Sequence, residues 1–364
     1  MFESTYKGRR VLVTGHTGFK GSWLCAWLLD LGATVAGFST NIPTKPSHFE
    51  VLRLTDRIEH FEGDVRNKSS LQHTIDKFCP DIVFHLAAQS LIRRSYENPI
   101  ATFETNSLGT LNLLDCLRSK PSVIASVLIT SDKCYENVEW LWGYRENDRL
   151  GGKDPYSASK ACAELISKVY MESFFRESGP NIATARAGNV IGGGDWALDR
   201  IVPDCVRAWS EGKPANIRNP NATRPWQHVL EPLSGYLVLG QKLFQGNPEA
   251  KNQSFNFGPP ANVNQSVGEL ITDMAQYWPR AEWKFEQEAD SGKPESTLLK
   301  LNCDKALQML NWNSILEFPE TIRMTGEWYQ AFYSQESSSV AENTSRQIGE
   351  YTEMATQSNL AWTQ

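Results

Sequence analysis

The chain has 364 residues, 40% hydrophobic and 21% charged, with a net charge of −6 and a pI near 5.7. This is the composition of a soluble globular protein, long enough for one large domain or two modest ones. The acidic balance, with no long basic run, excludes nucleic acid as the expected partner. No apolar stretch reaches the roughly 20 residues a membrane span needs.

The opening MFESTYKGRR has no apolar core of the kind a secretion signal carries. Seven cysteines (Cys25, Cys79, Cys116, Cys134, Cys162, Cys205 and Cys303) are dispersed without a Cys-x-x-Cys pair. The expectation is free thiols in a reducing cytoplasm. The six histidines form no His-Glu-x-x-His and no cluster with cysteine, so no metal site is expected. Twelve tryptophans read first as core packing, and second as sugar-stacking or interface residues.

The first predicted strand is R10-V-L-V-T14, followed by T14-G-H-T-G-F-K-G21 and a helix in which Leu24, Trp27, Leu28 and Leu31 recur at helical spacing. Each glycine of the loop has a physical task. Gly15 permits a tight turn, Gly18 lets backbone approach a pyrophosphate, and Gly21 lets helix and strand pack closely. The helix start supplies unpaired N–H groups and partial positive charge for phosphates. A glycine triplet alone is common. Its place between the first strand and first helix of a βαβ pattern makes it a dinucleotide signature.

Further strands are predicted at A33-T-V-A-G-F38, I58-E-H-F61, D81-I-V-F-H-L-A87, S126-V-L-I-T130 and N181-I-A-T-A-R186. Most are continuous apolar runs, as in strands buried on both faces. Helices are predicted from about Asn106 to Arg118 and from Ser157 to Phe175. The second strand leads into F38-S-T-N-I42, with neither an acid for a ribose nor an arginine for a 2′-phosphate, so these residues do not choose between NAD and NADP. Asp64 and Val65 follow the third strand and are candidates to meet the adenine; a turn aspartate is the plainer reading of Asp64.

The fifth strand ends in T130-S-D-K133, a hydroxyl, a carboxylate and an amine side by side at the lip of a sheet. Downstream, Asp154 caps a helix with Pro155 in its first turn, which puts Tyr156 and Lys160 four residues apart on one face. An ammonium near a phenol favours phenolate, and a phenolate can take a proton from a sugar hydroxyl as hydride leaves the same carbon.

Past residue 190 the pattern loosens into clusters such as G192-G-G-D-W196 and I217-R-N-P-N-A-T-R-P-W226. The predicted fold is α/β, a doubly wound parallel (Rossmann) sheet with a smaller mixed C-terminal substrate-binding region. The predicted divisions are a dinucleotide-binding domain at 1–190, a nucleotide-sugar region at 191–334 that returns in part to the sheet, and a polar tail or docked helix at 335–364.

T14-G-H-T-G-F-K-G21, A87-A-Q89, Ser131 and the Tyr156/Lys160 pair together resemble the extended short-chain dehydrogenase/reductases, the NAD-dependent epimerase/dehydratase superfamily. Longer blocks resemble its nucleotide-sugar 4,6-dehydratases, specifically the branch acting on CDP-glucose. These are G15-H-T-G-F-K-G-S-W23, I129-T-S-D-K-C-Y135, W142-G-Y-R-E-N147, R186-A-G-N-V-I-G-G-G-D-W196 and R224-P-W-Q-H-V-L-E-P-L-S-G235.

That resemblance implies NAD held by Gly15, Thr17, Gly18, Phe19, Lys20, Gly21, Asp64, Val65, Ala87, Ala88, Gln89, Tyr156 and Lys160. It implies that Ser131 bonds the C4 oxygen, Tyr156 is the C4 base, Asp132 is the acid for the departing 6-hydroxyl, and Lys160 tunes Tyr156 and holds the nicotinamide ribose. Lys133 acts at C5, either as a base or by stabilising the enolate electrostatically. Asn189, Arg218, Arg224 and His228 are the implied contacts to the nucleotide diphosphate or sugar.

The implied substrate is CDP-glucose, the implied assembly a homodimer or homotetramer, and the implied place a cytoplasmic step toward deoxysugars of surface polysaccharide. One departure is D290-S-G-K-P-E-S296, where relatives often carry histidines; Glu295 remains. An epimerase or dehydrogenase on the same scaffold needs no acid at 132. A non-catalytic dinucleotide sensor would have lost Tyr156 or Lys160, and both are present.

Overall fold

The structure, a computed structural model, describes residues 1–260, 262–285, 298–334 and 339–364. Glu295 and the 290–296 segment lie outside the described residues, as do 335–338 at the start of the polar C-terminal run.

Seven strands make the main sheet: β1 (Arg10–Thr14), β2 (Thr34–Ser39), β3 (Glu59–Glu62), β4 (Ile82–His85), β5 (Ala125–Ile129), β6 (Asn181–Ala187) and β7 (Gln253–Phe257). All pairings are parallel, in the order β7-β6-β5-β4-β1-β2-β3. The order in which strands are added reverses between β1 and β4, with β2 and β3 laid to one side of β1 and β4 to β7 to the other. A crevice therefore opens beyond their C-terminal ends, the place where such sheets bind ligands.

The strands form where apolar runs are buried from both sides. Val11 to Val13 and Ile82 to Phe84 are wholly inaccessible, and two separate cores lie on opposite faces of the sheet. One face is covered by α2 (Lys68–Phe78) and α3 (Gly109–Arg118), with α4 (Pro155–Ser173) beside α3. The other face carries α1 (Phe19–Asp30) and α5 (Leu230–Phe244).

β7 was not legible as a strand. Its residues Q253-S-F-N-F257 include three polar side chains, and the buried Asn256 pairs with the Tyr135 hydroxyl at 2.8 Å and with the carbonyls of Tyr144 and Asn302. Satisfied polar groups let a strand run through an interior that hydropathy would not assign to it.

The last helix, α7 (Ser339–Gln357), packs on α1 and on α6 (Phe318–Tyr333). Ile348, Tyr351 and Ala355 form its buried stripe, and Trp362 beyond it stacks on Phe2 at 5.0 Å between centroids. Most tryptophans pack in the core, Trp23, Trp27, Trp312 and Trp328 completely, whereas Trp142 is 72% exposed.

Candidate active site

The glycine loop closes over the start of β4's exit. Gly15 has φ +75°, and a Cβ there would stand 2.7 Å from the Ala87 nitrogen. A Cβ on Gly21 would stand 2.2 Å from the Gly15 carbonyl oxygen. Only glycine fits either position. Gly18 caps α1 without a side-chain acceptor, so the first-turn N–H groups of Phe19, Lys20 and Gly21 have no intrahelical partner. Thr17 Oγ1 donates to the Asn41 carbonyl at 2.7 Å and ties the loop to the end of β2.

At that strand end, where an acid was sought, His16 fills the space. Its ring lies against Gly37 and bonds Ser39 at 3.1 Å and His60 at 2.7 Å. Burial and then His60 lower its pKa to about 3.

Asp64 gives both oxygens to Arg66, at 2.9 Å from the backbone nitrogen and 2.6 Å from Nη2. The side-chain bond from Arg66 holds the carboxyl below its ordinary range. This is the turn-aspartate geometry. Val65 is buried against Gly109 at the start of α3. Ala87 N donates to Thr14 Oγ1 at 3.2 Å, and Ala88 and Gln89 continue along the crevice. Asn106, which the sequence reading passed over, clasps Gln89 through its N–H (2.8 Å) and carbonyl (3.0 Å), and also donates to Ser159 Oγ at 2.9 Å. It joins the cofactor-side loop to the helix bearing Tyr156 and Lys160. Its only sequence signal is an asparagine within a helix, at the wider turn Glu104–Leu108.

The end of β5 gathers the reactive groups. Ser131 caps the short turn Asp132–Cys134, donating from Oγ to Asp132 Oδ1 at 2.9 Å and accepting from Lys133 N at 3.3 Å. Asp132 is 2% exposed, whereas Lys133 is half-buried. Asp154 caps α4 by accepting from Ser157 N at 2.9 Å, which brings Tyr156 and Lys160 to face Ser131. Lys160 Nζ donates to the Ile129 carbonyl at 3.2 Å.

Burial pushes the Tyr156 phenol up to about 12; hydrogen bonding from Ser131 and the charge of Arg200 oppose that push, while Asp132 adds to it. Burial brings Lys160 down to about 8, with Glu164 opposing. The cation seen to favour the phenolate is thus Arg200, a residue the sequence reading did not single out. Asp195 fixes its guanidinium at 2.7 Å, and Ser90 accepts from it at 3.2 Å. Lys20 also reaches this centre. Its Nζ donates to the Tyr236 hydroxyl at 3.4 Å, and burial, then Lys160 and Arg200, lower it to about 7.

Beneath the site, Arg186 and Glu164 form a buried pair at 2.6 Å. Glu164 also accepts from Thr130, the residue before Ser131, and from Thr184 at 3.0 Å.

The four expected substrate contacts separate. Asn189, with φ +44°, follows Gly188 beside Asp132. Arg218 lies 3.9 Å from Asp199, which also pairs with Arg93 at 3.1 Å, and Arg224 donates to the Thr223 carbonyl at 2.8 Å. His228 corrects the expectation. It is 0% exposed, lies edge-on to Trp23 at 6.0 Å, and is driven by burial to about 3. A neutral ring with no accessible surface is a core residue, not a ligand for a diphosphate.

Among the described residues, no group of three or more His, Cys, Asp or Glu side chains is placed to hold a metal, and no helix is long and apolar enough to cross a membrane.

A glycine loop at the sheet's switch point, facing a buried Ser–Tyr–Lys set, is the arrangement of the extended short-chain dehydrogenase/reductases. Within that class the chain belongs to the family described as GDP-mannose 4,6 dehydratase, which matches residues 12–325. The chain is 45% identical over 352 residues, 95% of its own length and 97% of the relative's, to CDP-glucose 4,6-dehydratase of Salmonella typhimurium (strain LT2). It is 31% identical over 205 residues, 52% of this chain and 59% of the relative, to CDP-paratose 2-epimerase of Salmonella typhi. Among solved structures, dTDP-glucose 4,6-dehydratase of Bacillus anthracis in complex with NAD shares the fold at TM-score 0.75 and 21% identity, over 90% of this chain and 98% of that one. UDP-glucose 4-epimerase of Thermus thermophilus in complex with NAD matches at TM-score 0.74 and 25% identity, over 88% and 99%.

Proposed function

We propose that the chain is an NAD-dependent CDP-glucose 4,6-dehydratase, which converts CDP-D-glucose to CDP-4-dehydro-6-deoxy-D-glucose and water. The observation that carries this is the buried Asp132 hydrogen-bonded to Ser131 beside Tyr156. It is an acid where an epimerase or simple dehydrogenase needs none.

The crevice fits NAD. Gly15 and Gly21 stand where any β-carbon would clash, and the start of α1 is left uncapped for a pyrophosphate. When bound, NAD supplies the acceptor for hydride leaving C4 and the donor for hydride arriving at C6. The chain's own groups handle the protons. Ser131 bonds the C4 oxygen, and Tyr156 takes the C4 hydroxyl proton. The new ketone acidifies C5–H, Asp132 protonates the departing 6-hydroxyl, and Lys133 acts at C5 as base or as a charge stabilising the enolate. Lys160 would hold the ribose of the bound cofactor. Asn189, Arg218 and Arg224 serve the nucleotide sugar. In this reading residues 1–190 carry the cofactor, and 191–334 carry most of the substrate contacts.

The test offers CDP-glucose and, separately, its UDP, GDP and dTDP counterparts. The expected result is a 4-keto-6-deoxy product, seen by the near-ultraviolet absorbance it develops in base, with CDP-glucose alone. Deuterium placed at C4 should return at C6 of the same molecule. A C4 epimer, or reduced cofactor released to solution, would replace this reading with an epimerase or a dehydrogenase.

The assembly we propose is a homodimer, or a homotetramer built on it, in the cytoplasm, where the seven free thiols stay reduced. Ile100, Leu108, Leu165 and Val169 are 49–71% exposed on neighbouring helical segments, α4 among them, and suit packing against the same face of a second copy. Sedimentation of a Leu165→Glu, Val169→Glu variant should show monomers; an unchanged assembly would place the interface elsewhere.

A further inference from the structure

The first turn of α1, which the glycine loop offers to a pyrophosphate, is tied to the C-terminal helix by an unbroken line of hydrogen bonds. Ser22 Oγ donates to the Phe19 carbonyl at 2.9 Å and lies 2.8 Å from His48 Nδ1. His48, in the short helical turn His48–Val51, stacks on Trp23 at 4.9 Å between centroids. Its Nε2 lies 3.1 Å from Thr344 Oγ1 on α7, and that oxygen accepts from Trp328 Nε1 at 2.9 Å. Thr344 stands past residue 325, where the family match ends. Ser22, His48, Thr344 and Trp328 are 0–2% exposed, and burial keeps the His48 ring neutral, its pKa lowered to about 3.

A neutral imidazole donates from one nitrogen and accepts at the other. Ser22 gives its one hydrogen to Phe19, so it accepts from His48 Nδ1–H. Nε2 is then bare and accepts from the Thr344 hydroxyl. The reverse tautomer would exchange the 2.9 Å bond to Phe19 for a 3.4 Å bond from Thr344 to the Val340 carbonyl. The donors therefore run one way, from Trp328 through Thr344, His48 and Ser22 to Phe19. The Phe19 carbonyl and the Lys20 N–H belong to one planar peptide unit, so holding the first aims the second. That N–H is one of those at the start of α1 with no intrahelical partner.

We propose that His48 is a positioning residue for NAD: held by Thr344, it fixes Ser22 and through it the Phe19–Lys20 peptide, whose N–H would meet the pyrophosphate. The C-terminal helix thereby takes part in cofactor binding through α1. The sugar has no share in it.

The test measures the affinity of the full chain for NAD and, separately, for adenosine, which lacks the pyrophosphate, by competition against the fluorescence of bound NADH. His48→Leu, which fills the place beside Trp23 without a donor, should weaken NAD about 5-fold, the scale of one neutral hydrogen bond, and leave adenosine as in the parent. His48→Asn, whose amide can donate from near the position of Nδ1, should bind NAD as the parent does. Thr344→Val should weaken NAD about 3-fold and Thr344→Ser not at all, a comparison that decides the matter even where His48→Leu fails to fold. His48→Leu and Thr344→Val together should be no weaker than His48→Leu alone, because the threonine acts through the ring. Parental NAD affinity in both His48→Leu and Thr344→Val overturns the proposal. So does an equal loss of NAD and adenosine, which would make His48 a packing residue only, and so does a double variant in which the two losses multiply.

Discussion

Gly188 lies so close to Asp132 that a β-carbon on it would stand 1.9 Å from the carboxylate's Oδ2. The glycine is the wall against which the acid is set. Gly188→Ala should push Asp132 off its position by more than the fraction of an ångström proton transfer tolerates. We expect kcat to fall by about 100-fold with KM little changed. Bound reduced cofactor should build up during turnover, and the far-ultraviolet circular dichroism should stay native. Parental turnover would show that the carboxylate works from another place.

Asp132→Asn and Tyr156→Phe should stop the reaction on opposite sides of the first hydride transfer. The asparagine variant oxidises C4 and stalls, so stopped-flow absorbance should show reduced cofactor accumulating to about one per site. The phenylalanine variant should form almost none, slower by about 100-fold or more. Equal, parental transients in either would remove that residue from its role.

Burial raises the Glu231 carboxyl to about 7, although the Leu316 and Ile315 amides and the Tyr351 hydroxyl all bond it. A carboxyl whose folded value is raised binds its proton more tightly folded than unfolded. Its contribution to stability is complete below the unfolded value of about 4.3 and is lost as pH rises through about 7. Melting temperature should therefore decline between those limits. Glu231→Gln, which cannot ionise, should flatten the decline in a melting series across that range; an unaltered slope would show that Glu231 is ionised throughout.

Arg186→Met should destabilise the fold by about 3–5 kcal/mol, because it strands the Glu164 carboxylate in the core. Burial alone would raise that carboxyl; the charge and hydrogen bond of Arg186 outweigh it and hold it below its ordinary range. The Glu164→Gln, Arg186→Met double variant should recover much of the loss. Urea denaturation of both measures it, and a double variant no better than the single one would show that the arginine acts through packing.

The sequence reveals β1, β2, β4, β5 and β6 because strands covered on both faces are largely apolar; β3, a mostly exposed edge strand with Phe61 as its one apolar residue, is legible by its place in the alternation. It hides β7, whose Asn256 is buried at no penalty by the side chain of Tyr135 and the carbonyls of Tyr144 and Asn302. It also hides α7, whose buried stripe of Ile348, Tyr351 and Ala355 is thin within a polar run. In the site, Ser131, Asp132, Tyr156 and Lys160 are legible because neighbouring residues or one helical turn bring them together. Arg200 and Asn106 reach the centre only through the tertiary fold. His228 shows the opposite difficulty. The family resemblance implies a ligand at that position, and only the packing against Trp23 reveals a core ring.

That β7 comes from residues 253–257 and lies along β6 has a practical result for anyone dissecting the molecule. Cutting the chain near residue 190 would free the outer rim of β6 and strip α5 and α7 from beside the sheet. The separated piece would offer a bare row of amides to its own copies and clump rather than bind nucleotide. The cofactor half and the sugar half thus share one sheet, and grafting the first onto a foreign partner would require carrying that borrowed strand with it.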